Sequence, residues 1–241
     1  MRPVMELAPR FDLRRNVCHA QLGLGSQFVT PVMRLEANQS TIVHVVDDDA
    51  SMRGALAGLF ETVGLATRTY GLARDFLNSG FTDAPGCIVI DIRLPDINGL
   101  EFQDQLIAAG VRLPVVMMTG YGDIPMSVRA MKHGAVDFLA KPFRDQDMLD
   151  AVMAAIERDR QRRTADRNVS RIRERFAKLS RRQQQVMRLV TAGKMNKQVA
   201  GELGISEITT KIHRRAVMEK MGARTLADLV RMAETLTLER S

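Results

Sequence analysis

The chain has 241 residues with only two cysteines, and this length suits one large domain or two small ones. It contains no apolar run near the roughly 18 residues of a membrane span and no secretory signal, so we expect a reduced, cytoplasmic protein without a membrane partner. The charge is uneven, because residues 41–150 contain 9 basic and 15 acidic side chains whereas residues 151–241 contain 21 and 10. This imbalance indicates two domains with different partners. The basic domain suits binding to the phosphate backbone of a nucleic acid. A basic surface that is only solvated is the alternative.

The first forty residues show no sustained helical or strand period. We predict that residues 1–40 form a disordered N-terminal extension, and a functional N-terminal arm is the alternative. Met33 lies shortly before the first predicted strand, so the sequence does not decide whether translation starts at Met1 or at Met33.

Strands and helices alternate from residue 41 onward, which favours a parallel sheet covered by helices on both faces. Short apolar runs predict the strands, and apolar residues at helical spacing predict the helices between them. The predicted strands are 42–46, 65–70, 87–91, 114–118 and 136–140. The predicted helices are 50–63, 72–78, one around 100–107, 124–132 and 145 to about 160.

Polar residues of complementary chemistry stand at or just after the ends of four of these strands. They are the acidic run Asp47-Asp48-Asp49, then Asp91, Thr119 and Lys141. In an open parallel sheet, reactive groups gather in the crevice beyond the carboxyl ends of the strands, so we expect these side chains to meet there.

This set resembles the receiver domain of bacterial two-component response regulators over residues 41–158, because the acidic pair, the lone strand-end Asp, the Thr and the Lys-Pro pair occur in that family's order. The resemblance implies a flavodoxin-like, doubly wound α/β fold with five parallel strands. It implies that Asp91 accepts a phosphoryl group from a sensor histidine kinase, and that Lys141 and Thr119 contact that group.

The resemblance also implies a Mg²⁺ site. Asp48 and Asp91 would bind the ion directly, Asp47 partly through water, and the backbone carbonyl of Arg93 would supply another oxygen. Independently, carboxylates that converge in one crevice raise one another's pKa, and a hard divalent cation relieves that conflict. An acidic N-cap of the first helix is the alternative, which fits Asp49 best.

Two further expectations rest on the same resemblance. Phe138 occupies the aromatic switch position and would move together with Thr119, although a plain core aromatic is the alternative. The Lys141-Pro142 peptide bond is a candidate for the cis form.

Sequence patterns in the second half of the chain predict helices. Residues 159–178 are rich in Arg and have few apolar anchors, so we expect a charged, solvated and helical linker. We predict four short helices within residues 179–238, with Ser206 as an N-cap and Gly193, Gly204 and Gly222 at helix ends. The pattern from Leu179 through Lys220-Met221 resembles the LuxR-type helix-turn-helix of the FixJ and NarL family. The chain departs from that family at Gln183, usually Glu, and at Thr210, usually Val.

The third of these helices presents two different faces on a helical wheel. Thr210, His213, Val217 and Met221 share the predicted inner face, so His213 is expected to be structural. Lys211, Ile212 and Arg215 lie opposite and suit base contacts in a major groove, since Lys and Arg read guanine and an apolar group meets the thymine methyl. Lys197, Thr209 and Arg214 suit phosphate contacts.

These features favour a response-regulator transcription factor rather than an enzyme. The implied partners are a sensor histidine kinase, double-stranded promoter DNA, RNA polymerase and a second copy of the chain after phosphorylation. A phosphatase of the haloacid dehalogenase type would need a second acid where Arg93 stands. The remaining alternative is a DNA-binding regulator whose receiver domain only dimerises and works without phosphorylation.

Overall fold

The computed structural model describes residues 41–80, 84–120 and 124–238, so the disorder expected for residues 1–40 lies outside the described residues. The predicted parallel sheet is confirmed, with strand order β2-β1-β3-β4-β5. The strands are β1 (Ile42–Val46), β2 (Ala66–Tyr70), β3 (Gly86–Asp91), β4 (Val115–Thr119) and β5 (Asp137–Ala140). The helices around it are α1 (Ala50–Thr62), α2 (Ala73–Asn78), α3 (Gly99–Ala108), α4 (Ile124–Lys132) and α5 (Asp145–Ala177).

The sheet separates two apolar layers because successive side chains of a strand point to opposite faces. On β3, Ile88 and Ile90 enter the layer formed with α2 and α3, which contains Phe76 and Phe102. Cys87 and Val89 enter the other layer, formed with α1 and α5. This second layer contains Leu56, Phe60, Met148, Val152 and Ile156. Both faces of the sheet are therefore covered, and the carboxyl ends of its central strands remain as the place for polar groups.

Helix α5 is 33 residues long and includes most of the segment predicted as a linker. Both ends of that segment are anchored, in contrast to the predicted solvated run. At its start Asp159 is fully buried. Near its end Ile172 and Phe176 pack against the C-terminal core. Residues 164–168, between these anchors, are exposed.

Four helices follow α5: α6 (Arg181–Thr191), α7 (Asn196–Leu203), α8 (Glu207–Met221) and α9 (Leu226–Leu238). Their shared core includes Val186, Met187, Val190, Val199, Val217, Met221 and Leu229. The predicted N-cap is confirmed, since the Ser206 hydroxyl accepts from the Thr209 amide at 3.0 Å. Gly204 and Gly222 end α7 and α8 in the left-handed conformation, as predicted.

The two positions that depart from the LuxR-type pattern are accommodated locally. Gln183 forms a capping box with Ser180 and accepts a hydrogen bond from Lys220 at 2.9 Å. Thr210 is buried, and its hydroxyl donates to the Ser206 carbonyl at 3.1 Å. In the part of the chain that the structure describes, no helix has the length and hydropathy needed to cross a membrane.

Candidate functional site

Parallel pairing of β1 with β3 brings two acidic side chains together. Val46 is opposite Ile90, so Asp47 and Asp91, which follow these residues, emerge at the same edge of the sheet. Both are buried, whereas the neighbouring Asp48 is exposed. Each of the three offers a carboxylate oxygen, and these oxygens lie within 4.8 Å of one another. The predicted convergence of the acidic residues is therefore present in the structure.

Lys141 supplies the positive charge of this cluster. It follows β5, and its Nζ donates to Asp47 Oδ2 at 2.7 Å and to Asp91 Oδ2 at 2.6 Å. The Lys141-Pro142 peptide bond is cis, as the resemblance implied. One ammonium group thus bridges two carboxylates that would otherwise repel each other.

Burial and charge act against each other in this cluster. Burial raises the pKa of Asp47, and the hydrogen bond from Lys141 only partly offsets this effect. Burial alone would lower the pKa of Lys141, but its hydrogen bonds to Asp47 and Asp91 outweigh burial and raise the pKa of the ammonium group. The raised pKa of Asp47 and the raised pKa of Lys141 are consistent with each other, because one lysine is shared between two acids. The cluster therefore lacks positive charge relative to its carboxylates and suits a further cation.

Backbone amides hold the carboxylates in place. The Arg93 amide donates to Asp91 Oδ1 at 3.1 Å, and the Asp49 amide donates to Asp47 Oδ1 at 2.8 Å. Asp49 itself is the N-cap of α1, as the alternative interpretation of the acidic run predicted. Arg53, which sequence reasoning missed, donates from Nη1 to the backbone carbonyl of Asp47 at 2.7 Å. Its position one turn into the helix that follows the acidic run is the signal that could have identified it.

The loop after β3 folds back closely on the site. Arg93 and Asn98 form an isolated antiparallel bridge, and the Gly99 amide donates to the Ile92 carbonyl at 2.8 Å. A Cβ at Gly99 would lie 2.8 Å from the Asp91 carbonyl oxygen, so a side chain at this position would push the loop away. Glycine thereby lets the Arg93 backbone stay beside the acidic cluster.

The remaining predicted residues of the pocket lie on β4 and β5. Thr119 is buried at the end of β4, and its carbonyl accepts from the Lys141 amide at 2.7 Å. Phe138 pairs in register with Met117, two residues before Thr119, and is partly buried against the layer of α2 and α3. Thr119 and Phe138 thus occupy neighbouring strands, with Lys141 directly beyond them.

The predicted DNA-contacting residues lie on α7 and α8. Ile208 and Ile212 are 71% and 62% exposed, while Val217 and Met221 on the same helix are buried. Lys197, Lys211 and Arg215 are exposed, and Thr209 and Arg214 are partly buried. Lys211 lies 3.5 Å from Glu207, and Arg214 donates to Asn196 Oδ1 at 3.1 Å. Helix α8 therefore exposes Ile212, Lys211 and Arg215 and buries Val217 and Met221, in agreement with the helical wheel.

Comparisons with known proteins agree with this two-part organisation. Residues 43–153 match the response regulator receiver domain, and residues 177–233 match the luxR family of bacterial regulatory proteins. Nodulation protein W of Bradyrhizobium diazoefficiens is 56% identical over 201 residues, which cover 83% of this chain and 88% of that protein. This chain belongs to the two-component response regulators with a LuxR-type DNA-binding domain.

Further relatives match this response regulator over most of their own length. The transcriptional regulatory protein FixJ of Azorhizobium caulinodans is 44% identical over 195 residues, covering 81% of the chain and 92% of that protein. The solved structure of the response regulator StyR is 44% identical, with a TM-score of 0.73, and covers 81% of this chain and 98% of StyR. Full-length FixJ from B. japonicum is 36% identical with a TM-score of 0.51. Proteins of this family are response regulators and transcription factors.

Proposed function

We propose that this response regulator is phosphorylated on Asp91 by a sensor histidine kinase and then controls transcription by binding promoter DNA through α8. The observation that carries the proposal is the bridging of Asp47 and Asp91 by the ammonium group of Lys141, in a cluster with a third carboxylate. A carboxylate in a buried, cation-lined crevice can act as a nucleophile toward a phosphoryl group.

In the proposed transfer, an oxygen of Asp91 attacks the phosphorus of a phosphohistidine. The new P–O bond makes an acyl phosphate, while the P–N bond breaks and its electron pair returns to the imidazole of the kinase. Lys141 neutralises charge on the phosphoryl oxygens, and the Thr119 hydroxyl donates a hydrogen bond to them. The Arg93 amide keeps the attacking carboxylate oriented.

The donor set fits Mg²⁺, because carboxylate and carbonyl oxygens are the ligands this ion prefers. Asp47, Asp48, Asp91 and the backbone carbonyl of Arg93 would hold it. When bound, Mg²⁺ supplies the positive charge that Lys141 alone cannot supply to three carboxylates and an incoming phosphoryl group.

Coupling to DNA follows from the positions of Thr119 and Phe138. Thr119 bonds to Lys141 and Phe138 lies on the strand beside it, so inward movement of Thr119 and Lys141 toward a phosphoryl group would leave space for Phe138 to follow. The surface formed by α4 and β5 would then change shape and dimerise. Val128 and Met131, which are large exposed apolar residues of α4, support this role. Two copies of α8 would be presented to a two-fold symmetric promoter site, where RNA polymerase is the further expected partner.

The first experiment tests the phosphoacceptor. Asp91→Asn retains an oxygen that can accept from the Arg93 amide but removes the nucleophilic carboxylate, so we expect a folded protein that is not labelled by acetyl phosphate and Mg²⁺. Asp96→Asn is the matched control, because Asp96 is exposed and its partners among the described residues are the Ala73 and Arg74 amides of α2, from which it accepts hydrogen bonds. Intact-protein mass spectrometry measures the labelling, and undiminished labelling of Asp91→Asn would refute the assignment.

The second experiment tests the coupling. A DNA fragment is selected from a random library with the phosphorylated protein, and its binding is measured with and without phosphorylation at matched salt. A coupling of 1 to 3 kcal/mol would correspond to roughly 5- to 150-fold tighter binding by the phosphorylated dimer. Equal binding by both forms would instead support a receiver domain that only dimerises.

A further inference from the structure

Ile208, in the first turn of α8, is an apolar residue that the fold does not use. It is 71% exposed, more than any other large hydrophobic residue in the described ranges, and it is not part of the C-terminal core that those ranges contain. Isoleucine is also a poorer helix former than alanine, lysine or arginine, because its β-branched side chain loses rotamer freedom in a helix. Neither packing nor helix formation therefore explains an isoleucine at this position.

Ile208 shares its face of α8 with the residues that we propose read bases. On a helical wheel with about 100° per residue, Ile208 lies between Arg215 and Ile212, and Lys211 lies next to Arg215. All four residues are exposed, and the buried residues of α8 lie on the opposite side. The N-terminal residues of a recognition helix are the ones that contact base edges. Ile208 is therefore positioned to reach the major groove together with the other three.

The charges around Ile208 favour base edges over the DNA backbone as its partner. Glu207, the residue before it, is exposed and lies 3.5 Å from Lys211. A carboxylate in this first turn would repel a phosphate group. Lys211 and Arg215 can pair with guanine, whereas the apolar group that the major groove offers to an isoleucine is the thymine methyl.

The spacing of Ile208 and Ile212 sets the spacing of the thymines. Side chains four residues apart on a helix are neighbours, with about 5–6 Å between their Cβ atoms. Successive base pairs of DNA are about 3.4 Å apart along its axis. The two isoleucines therefore match methyl groups that are one or two base pairs apart.

We propose that Ile208 is a specificity-determining residue of α8, and that Ile208 and Ile212 together select two thymines at most two base pairs apart in each half-site. This inference rests on the proposed function, because it requires that α8 enters the major groove of promoter DNA. Both side chains are β-branched and stiff, so they lose little conformational freedom on binding. The pair thus extends sequence reading to the first turn of the helix.

The test uses the full chain, in acetyl phosphate and Mg²⁺, and the DNA fragment that it selects from a random library. Each thymine of the half-site is replaced in turn by uracil, which lacks only the methyl group. Replacement of either of two thymines at most two base pairs apart should weaken wild-type binding about fourfold, the effect of one buried methyl group. Ile208→Ala should lose this response at one of the two thymines, and Ile212→Ala at the other.

Two further variants separate base reading from general effects of lost apolar surface. Ile107→Ala is the matched control, because Ile107 is 61% exposed on α3 of the receiver domain, and it should keep both uracil responses. Ile208→Val retains a branched side chain and should keep both responses as well. If Ile208→Ala responds to uracil at every thymine as the wild type does, the inference is overturned while the proposed function stands. A wild type that selects no DNA sequence would overturn both.

Discussion

Nη1 of Arg175 donates a hydrogen bond to the backbone carbonyl of Met221 across 2.9 Å. Arg175 lies near the end of α5, and Met221 is the last residue of α8. The final carbonyls of a helix have no partner within the helix, and a cation there also interacts favourably with its dipole. A Cβ at Gly222 would lie 2.7 Å from the same Nη1, so glycine leaves room for this contact. The end of α5 thus caps the helix that we propose contacts DNA.

We expect Arg175→Met to lower the free energy of unfolding by about 1 to 2 kcal/mol, because methionine retains much of the apolar packing but cannot donate to the Met221 carbonyl. Urea denaturation followed by circular dichroism measures the change. Arg167→Met is the matched control, since Arg167 is exposed on the same helix. Equal midpoints for the two variants would show that the cap adds nothing to stability.

The buried carboxylate of Asp159 should be far more important for stability than its exposed neighbour Asp166. Asp159 Oδ2 accepts from Arg163 Nε at 2.6 Å and from the Gly86 amide at 3.2 Å, and Arg162 donates to its Oδ1. Asp159→Ala leaves these donors without their acceptor, so we expect a loss of about 3 to 5 kcal/mol in the free energy of unfolding.

Asp166→Ala serves as the control for Asp159→Ala. Asp166 is exposed and pairs with Arg112 and Arg162, and surface pairs of this kind contribute about 1 kcal/mol or less. The same urea titration applies to both variants. Losses of similar size would mean that Asp159 behaves as a surface residue.

We expect the stability of the protein to depend on pH because the side chain of His44 is buried. It is buried on β1 beside Tyr70 and Phe76, and burial, with a smaller contribution from Arg68, lowers its pKa to about 4. A folded pKa below the unfolded value of about 6.5 means that the full stability is present above pH 6.5. The free energy of unfolding decreases by up to about 3 kcal/mol as the pH falls toward 4, because the unfolded state then binds a proton that the folded state does not bind.

Urea midpoints of the wild type and of His44→Phe at pH 7 and pH 5 measure this contribution, because other titrating groups are common to both proteins. The wild type should lose more stability than His44→Phe on acidification. Tyr70→Phe is a useful second variant, since it removes the hydroxyl that lies 3.3 Å from His44 Nδ1. Parallel losses in wild type and His44→Phe would contradict the lowered pKa.

Ile212 on the exposed face of α8 should affect DNA binding without affecting stability. Ile212→Ala removes apolar surface that we propose meets a thymine methyl, so binding to the selected DNA should weaken roughly tenfold. Replacing the contacted thymine by uracil should weaken wild-type binding but leave the variant unchanged. Val217→Ala, in the buried face of the same helix, should instead lower the free energy of unfolding.

The sheet and the acidic pocket could be predicted because each depends on local patterns that repeat along the chain. Apolar runs ending in Asp47, Asp91, Thr119 and Lys141 define both the strands and the edge at which they meet. The buried faces of α8 were likewise predicted, since a helical wheel requires only the spacing of residues.

The roles of Asp159 and Arg175 were not predicted, because both lie in a charged run and their partners are distant in sequence. Asp159 bonds to the amide of Gly86, and Arg175 bonds to the carbonyl of Met221. Composition indicates solvation for such a run. One signal was present, however: Asp159 continues the apolar stripe of Val152 and Ile156 at helical spacing, which places it on the buried face.

Because helix α5 is unbroken, it also sets a rotational phase, that is, the angle about its axis between the pocket at Asp91 and the helices after residue 180. One residue inserted into its exposed stretch at 164–168 would rotate everything that follows by about 100° and advance it by about 1.5 Å. Seven inserted residues would return the rotation to within about 20° and add about 10 Å of length. Lengths that differ by nearly whole helical turns should therefore be tolerated far better than single insertions, and exchanging domains between relatives should succeed only where the joint preserves this phase.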